Sequence, residues 1–302
     1  MHQVILPDEY VQNKIGIATV LFNSGSVLPD FLEALRTQTH TNYLVYAVDN
    51  ASNDASVALC RAEGNHFQVI ENEENTGFAH ATNQGIRRAL EDGCEIVLIL
   101  NNDVVFKPDF LHQLLQGLRR QNADLVAPVT YYHERPNVIW AAGGTLQRWF
   151  GYRPIHLGMG ETDNGQFNVD RAIEFAPGSC IFAHRSVFSS VGLLDETYFT
   201  YWEDTDFAVR AVQAGLSNFL IPGAKLWHKV SSLAGKNSPF QIHYATRNHA
   251  LYIHKHCATI PASLLSTLYL TWYRISSLLR RRKDSRIASW QEGVYIAKGK
   301  GY

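Results

Sequence analysis

The 302-residue sequence predicts an α/β fold, a mostly parallel central sheet flanked by helices on both faces. Two observations carry that expectation: β-rich apolar runs alternate with helically spaced segments through the first hundred residues, and a short polar loop follows most of the runs. Ile15 to Phe22 is the first strand, closed by Asn23, Ser24 and Gly25. Val27 to Thr37 then places Val27, Phe31, Leu32 and Leu35 on one helical face. The alternation continues with a strand over Tyr43 to Val48, a helix over Asp54 to Glu63, a strand over Phe67 to Glu71, a helix over His80 to Glu91 and a strand over Ile96 to Leu100. In such sheets ligands bind at the carboxyl ends of the strands.

Composition narrows the function classes. At 46% hydrophobic residues and a net charge of −1, the chain is globular, and no global charge favours nucleic acid as a partner. Cys60, Cys94, Cys180 and Cys257 stand far apart, so neither a zinc knuckle nor a disulfide framework is indicated, and they read as small residues of a reducing compartment. Met1 to Lys14 lacks the basic start and apolar stretch of a signal peptide, which makes a cytoplasmic location the expectation. The most apolar stretch, Ile260 to Leu279, is broken by Arg274 and several Ser and Thr, so a spanning helix is not expected.

The loops after the strands are alike in kind: Asp49-Asn50-Ala51-Ser52-Asn53-Asp54, then Asn72 to Gly77, then Asn101-Asn102-Asp103. Any one of them could be ordinary turn and cap chemistry. Together they are expected to line one crevice. Two common nucleotide sites do not fit it. No G-x-G-x-x-G follows the first strand, and Gly235-Lys236 and Gly299-Lys300 lack the rest of a P-loop. A Gly-rich basic loop for a triphosphate is missing as well, which disfavours a nucleotidyltransferase.

The series Val48-Asp49-Asn50-Ala51-Ser52-x-Asp54, Asn75-Thr76-Gly77-Phe78-Ala79 with Asn83 and Gly85, and Leu100-Asn101-Asn102-Asp103-Val104 resembles the nucleotide-sugar half of the family 2 glycosyltransferases. It continues through Pro177-Gly178-Ser179, Gly192-Leu193-Leu194-Asp195-Glu196, Tyr201-Trp202-Glu203-Asp204-Thr205-Asp206, Trp227-His228 and Tyr244-x-x-Arg247-Asn248, and is most similar to the bacterial rhamnosyltransferase-like subgroup. The resemblance implies a GT-A fold over residues 14–256, with a nucleotide-sugar half over about 14–125, an acceptor half over about 126–256 and a helical extension over 257–302. It also implies an inverting glycosyltransferase that uses a UDP- or dTDP-sugar, dTDP-rhamnose among them, and a glycan or lipid-linked acceptor in cell-surface polysaccharide synthesis.

Each residue can be weighed beside that resemblance. Asp49 and Asn50 are implied at the nucleobase and ribose, where an Asp or Asn can accept from the N3–H that uracil and thymine share. Asn75, Gly77, Phe78, Asn83, Asn101, Asn102 and Arg247 complete the expected nucleotide-sugar set. Gly77 would let backbone approach the ligand at a helix start, and the planar guanidinium of Arg247 suits phosphate oxygens. Asp103, a carboxylate directly after a strand, and His228 are the expected ligands of Mg²⁺ or Mn²⁺. In the D-x-D motif of the family the first acid is replaced here by Asn101, which removes a charge and leaves a non-catalytic nucleotide-sugar-binding module as the alternative. The family's x-E-D motif implies Asp204 as the base that deprotonates the acceptor, with Glu203, Asp206 and Trp202 orienting it.

The end of the chain differs in character. Leu264, Leu265, Leu268, Trp272, Ile275 and Leu279 recur at helical spacing ahead of Arg280-Arg281-Arg282-Lys283, which fits either a core-packing helix with a basic end or an interfacial helix at an anionic membrane. Residues 261–302 hold eight basic and two acidic residues, a net of +6, so the preceding 260 carry −7. That asymmetry raises the expectation of peripheral contact with the inner face of the cell membrane.

Overall fold

The computed structural model describes residues 13–148, 152–230, 238–257, 261–280 and 284–300; the expectations on Met1 to Gln12 and on Arg281 to Lys283 fall outside them. The first half is β1 (Ile15–Leu21), α1 (Leu28–Arg36), β2 (Tyr43–Asp49), α2 (Ser56–Arg61), β3 (Phe67–Glu71), α3 (Phe78–Glu91) and β4 (Ile96–Leu100). The four strands are parallel in the order β3-β2-β1-β4. Their residues alternate between two cores, as the pleat dictates. Ile96, Leu98 and Leu100 face the side covered by α1, with Phe31 and Leu35, while Val97 and Ile99 face α3, with Ala79, Ile86 and Ala89.

The second half adds β5 (Val104–Phe106), α4 (Phe110–Arg120), β6 (Leu125–Tyr132), β7 (Arg135–Ala141), β8 (Gly144–Gln147), β9 (Arg153–His156), β10 (Arg171–Ala172), β11 (Cys180–His184), α5 (Arg185–Val191), α6 (Glu203–Gln213) and β12 (Asn218–His228). β11 runs antiparallel between β4 and β6, and β12 runs parallel to β6, so one sheet of ten strands passes beneath both halves. The expected central sheet with helices on both faces is therefore present. Two helix starts differ from the sequence expectation for local reasons. Asp54 precedes α2, accepting from the Ser56 and Gly25 N–H groups, and Gly77, at φ +88°, turns the chain directly into α3 at Phe78.

Three helices close the molecule: α7 (Pro239–His256), α8 (Ala262–Arg280) and α9 (Arg286–Gly299). α9 buries Trp290 against Ala250 and Ile253 of α7 and Tyr273 of α8. Of the six apolar residues whose spacing marks α8, only Leu265 joins that interior; Leu264, Leu268, Trp272, Ile275 and Leu279 are exposed. The core-packing expectation for this helix thus holds for its other face alone. Among the described residues no helix is long and apolar enough to cross a membrane.

The α7–α9 contact admits no side chain at its centre. A Cβ built on Gly293 would stand 2.0 Å from the Arg247 carbonyl oxygen. Helix propensity alone favours alanine over glycine by about 1 kcal/mol, whereas overpacking costs about 1–3 kcal/mol. Gly293→Ala is expected to lower the melting temperature by several degrees; an unchanged or raised value in a thermal melt would show that the helices can part without cost.

Candidate functional site

A cleft of about 870 Å³ opens at the carboxyl ends of the parallel strands, a size suited to a small organic ligand. The loops singled out in the sequence converge on it: Asn50 after β2, Asn75, Gly77 and Phe78 after β3, and Asn101, Asn102 and Asp103 after β4 all line it. Asn50 is the hub of the first two loops. Its amide donates to the Gly77 carbonyl at 3.1 Å and to Asn75 Oδ1 at 3.3 Å, and its oxygen accepts from Asn72 at 2.9 Å and Thr76 at 3.0 Å. Most of its hydrogen-bonding capacity therefore holds the wall together. Asp49, expected at the nucleobase, lies behind it instead of lining the cleft, with Oδ2 accepting from the Ser52 N–H and Oδ1 buried without a hydrogen-bond partner. Gly77 leaves room for the far side of the cleft, since a Cβ there would meet the Phe199 ring at 2.5 Å.

The Asn101-Asn102-Asp103 loop divides three tasks. Asn102 donates to the Val20 carbonyl at 2.7 Å and to Ser24 Oγ at 3.1 Å, which fastens the loop to the end of β1. Asn101 Oδ1 is buried with no hydrogen-bond partner, and Asp103 Oδ1 lies 3.0 Å from His228 Nε2. β5 and β12 bring the two residues together, because Val104 is registered opposite His228. A carboxylate oxygen, an imidazole nitrogen and an unsatisfied amide oxygen fit a divalent cation such as Mn²⁺. No group of three His, Cys, Asp or Glu ligands exists among the described residues, so bound phosphate oxygens and water would have to complete the coordination.

The opposite wall is built on backbone in the left-handed region. Phe199, Tyr201 and Trp202 have φ values of 62°, 67° and 76°. Each such non-glycine residue costs on the order of 1–3 kcal/mol. The turn is held by Arg247, expected at the nucleotide sugar, and by its neighbour Asn248. Arg247 donates to the Thr197 carbonyl at 2.8 Å and the Tyr198 carbonyl at 3.4 Å, while the Asn248 amide shares its hydrogens among the carbonyls of Tyr198, Thr200 and Tyr201 at 2.6–2.9 Å. α6 starts at the end of this turn, so its first acids are fixed with it. Asp204 lines the cleft, with Oδ2 accepting from the Gly178 N–H at 2.8 Å and Oδ1 from the Thr205 N–H and hydroxyl.

The neighbouring carboxyls differ sharply. Glu203 also lines the cleft, its Oε2 buried without a partner; burial pushes its carboxyl up to about 8, and the charges of Asp204 and Asp206 push the same way. Asp206 is fully buried. Burial acts to raise its carboxyl, but the His256 hydrogen bond and the Arg210 and Lys255 charges outweigh it and hold the group well below the usual range. His256 Nε2 stands 2.7 Å from Oδ1, Lys255 Nζ 2.8 Å from the same oxygen and Arg210 Nε 2.8 Å from Oδ2.

Several expected site residues thus lie behind the cleft wall. Arg247 faces the turn and an ion pair with Glu292 at 3.2 Å rather than the cleft. Asn83 exchanges hydrogen bonds with the Leu194 backbone at 2.9 and 3.0 Å and donates to Glu196. Trp202 stacks on His249 with ring centroids 4.5 Å apart and donates to the Ala245 carbonyl. Asp206 joins α6 to α7. Conversely, the cleft gains residues not singled out for it. Phe22 is an exposed aromatic directly after β1, a visible signal once that strand end is known to face ligand. His156 lines the cleft with Nδ1 buried and unpartnered; burial lowers its pKa and the Asp204 charge opposes that. Trp140 links it to His228, at centroid distances of 5.8 and 4.9 Å.

Residues 17–192, more than half of the chain, match the family model described as Glycosyl transferase family 2. The chain belongs to that family. It is a glycosyltransferase, and its relatives are glycosyltransferases too. It is 25% identical over 254 residues to the dTDP-rhamnosyl transferase RfbF of Shigella flexneri, covering 79% of this chain and 80% of that protein. It is 29% identical over 167 residues to the low-salt glycan biosynthesis hexosyltransferase Agl10 of Haloferax volcanii, 54% of this chain and 52% of that one. Two solved structures share the GT-A fold: GalNAc-T7 with UDP, GalNAc and Mn²⁺, at TM-score 0.63, 14% identity and 80% of this chain against 48% of that one, and the mannosyltransferase PcManGT from Pyrobaculum calidifontis with GDP-Man and Mn²⁺, at TM-score 0.56, 15% identity and 100% against 80%.

The raised Glu203 carboxyl has a measurable consequence for this glycosyltransferase. Between pH 4.5 and about 8 the unfolded chain ionises the group while the folded chain keeps its proton, so its contribution to stability is full below 4.5 and falls across that window. Melting temperatures taken from pH 5 to 8 should decline less steeply in Glu203→Gln, which cannot titrate. Parallel profiles for the two proteins would remove Glu203 as the source.

Proposed function

We propose that the enzyme transfers a hexose or deoxyhexose, with inversion, from a UDP- or dTDP-sugar to a hydroxyl of a glycan or lipid-linked acceptor in cell-surface polysaccharide synthesis. dTDP-rhamnose is the favoured donor, on the strength of the relative matched over four fifths of both chains. The reading places the enzyme in the cytoplasm, where nucleotide sugars are made, with its acceptor presented at the inner face of the cell membrane. The observation that carries it is the arrangement of the cleft: Asp204 on one wall, and the Asp103–His228 pair on the other, both facing one cavity.

The chain's own residues account for the steps as follows. Phe22 offers a face for the pyrimidine to stack on, while Asp49, buried behind Asn50, serves the base only through the loop it holds by accepting from the Ser52 N–H. Asp103 and His228 would hold the divalent cation, which when bound supplies positive charge to the leaving diphosphate. Asp204 takes the proton of the acceptor hydroxyl as that oxygen attacks the anomeric carbon from the face opposite the diphosphate, which inverts the configuration. The Gly178 N–H fixes Oδ2 for this role. Glu203, protonated at neutral pH, donates to an acceptor oxygen rather than competing for its proton.

Two measurements test the reading. Asp204→Asn should lower kcat by about 10²–10⁴-fold while the donor still raises the melting temperature as it does in wild type; activity equal to wild type would refute the base. Dialysis against a chelator should abolish release of nucleoside diphosphate and Mn²⁺ should restore it, with Asp103→Asn shifting the Mn²⁺ dependence to higher concentration. Full turnover in the chelated enzyme would sink the metal assignment.

A further inference from the structure

α8 carries apolar side chains on two faces. Leu265, Tyr269, Leu270 and Tyr273 turn inward toward Trp290. On the other side Leu264, Leu268, Trp272, Ile275, Leu278 and Leu279 are exposed by 45–80%. At about 100° per residue these six fall in one stripe roughly 120° wide that runs the length of the helix. They make up half of the twelve large apolar side chains exposed among the described residues, so this is a patch and not the scatter of an ordinary surface.

The charges along α8 are of one sign. Arg274 is exposed on its flank beside Thr267 and Thr271, and residues 261–280 contain Arg274 and Arg280 but no Asp or Glu. The sequence continues into Arg281, Arg282 and Lys283, and Asp284, the next acid, is engaged by Arg286 at 2.9 Å. A second copy of this chain would be a poor cover, because a symmetric contact through α8 would bring two basic helices together with no acid on either to face them. A negatively charged lipid surface supplies what is missing: a place for the leucines and the tryptophan at the acyl boundary, and phosphates for the arginines.

We propose that the outward face of α8 docks the enzyme flat on an anionic bilayer, with Leu268 and Trp272 at the centre of the contact. This assignment does not rest on the reading of the cleft. The full-length chain floated with vesicles of phosphatidylcholine and phosphatidylglycerol should co-migrate with them, should bind vesicles of phosphatidylcholine alone far less, and should be released by salt. The double substitution Leu268→Ser with Trp272→Ser should reduce the bound fraction at least about tenfold with the melting temperature unchanged. Absence of binding to the anionic vesicles, or equal binding by the double variant, overturns the proposal. So does a dimer in light scattering that the double variant dissolves, which would assign the stripe to a second copy.

Discussion

The wall of the cleft that carries Asp204 depends on two adjacent side chains giving their hydrogens to backbone carbonyls. Arg247 and Asn248 reach the carbonyls of Thr197, Tyr198, Thr200 and Tyr201. They hold a turn that three bulky residues at positive φ would otherwise abandon. The strain has a geometric purpose. Only a chain reversed this sharply can end the loop at Trp202 and begin α6 at Glu203, so that Asp204 points across to Gly178. The same turn receives α3, through the Ala79 N–H donating to the Phe199 carbonyl, and therefore couples the wall of Asn75 and Gly77 to the one that carries Asp204.

Three carboxyls within four residues would repel one another if they shared an environment, and the fold separates them instead. Asp206 is surrounded by Arg210, Lys255 and His256, Glu203 is buried without a cation, which pushes its carboxyl up, and Asp204 alone combines cleft exposure with hydrogen bonds to backbone. Distinct surroundings for like groups are how acid and base roles are divided in one site. Lys255 extends the arrangement to Asp195 at 2.6 Å, so the Leu193–Glu196 segment, α6 and α7 meet at a single buried charge cluster.

Much of this was legible in the sequence, for identifiable reasons. Strand and helix periods follow from which faces are buried, and the polar loops after Asp49, Glu71 and Leu100 converge because parallel strands end on one side. Asp103, His228 and Asp204 reach the cleft as expected. Arg247, Asn83, Asp206 and Trp202 do not, although they stand in the motifs. Their partners are backbone carbonyls or buried counter-charges on other elements, and a carbonyl has no signature in a sequence. His156 was illegible for the converse reason: its strand, β9, belongs to a small hairpin with β8, and only the tertiary fold carries it to Asp204.

The contact between Gly293 and the Arg247 carbonyl gives the last helix a part in this design. With Glu292 pairing to the guanidinium of the same arginine, α9 touches Arg247 at both its backbone and its side chain. The arginine that clamps the turn before α6 is thus seated between that turn and α9. A change that loosens α9 is therefore expected to reach the cleft wall through Arg247, without altering any residue that lines the cleft.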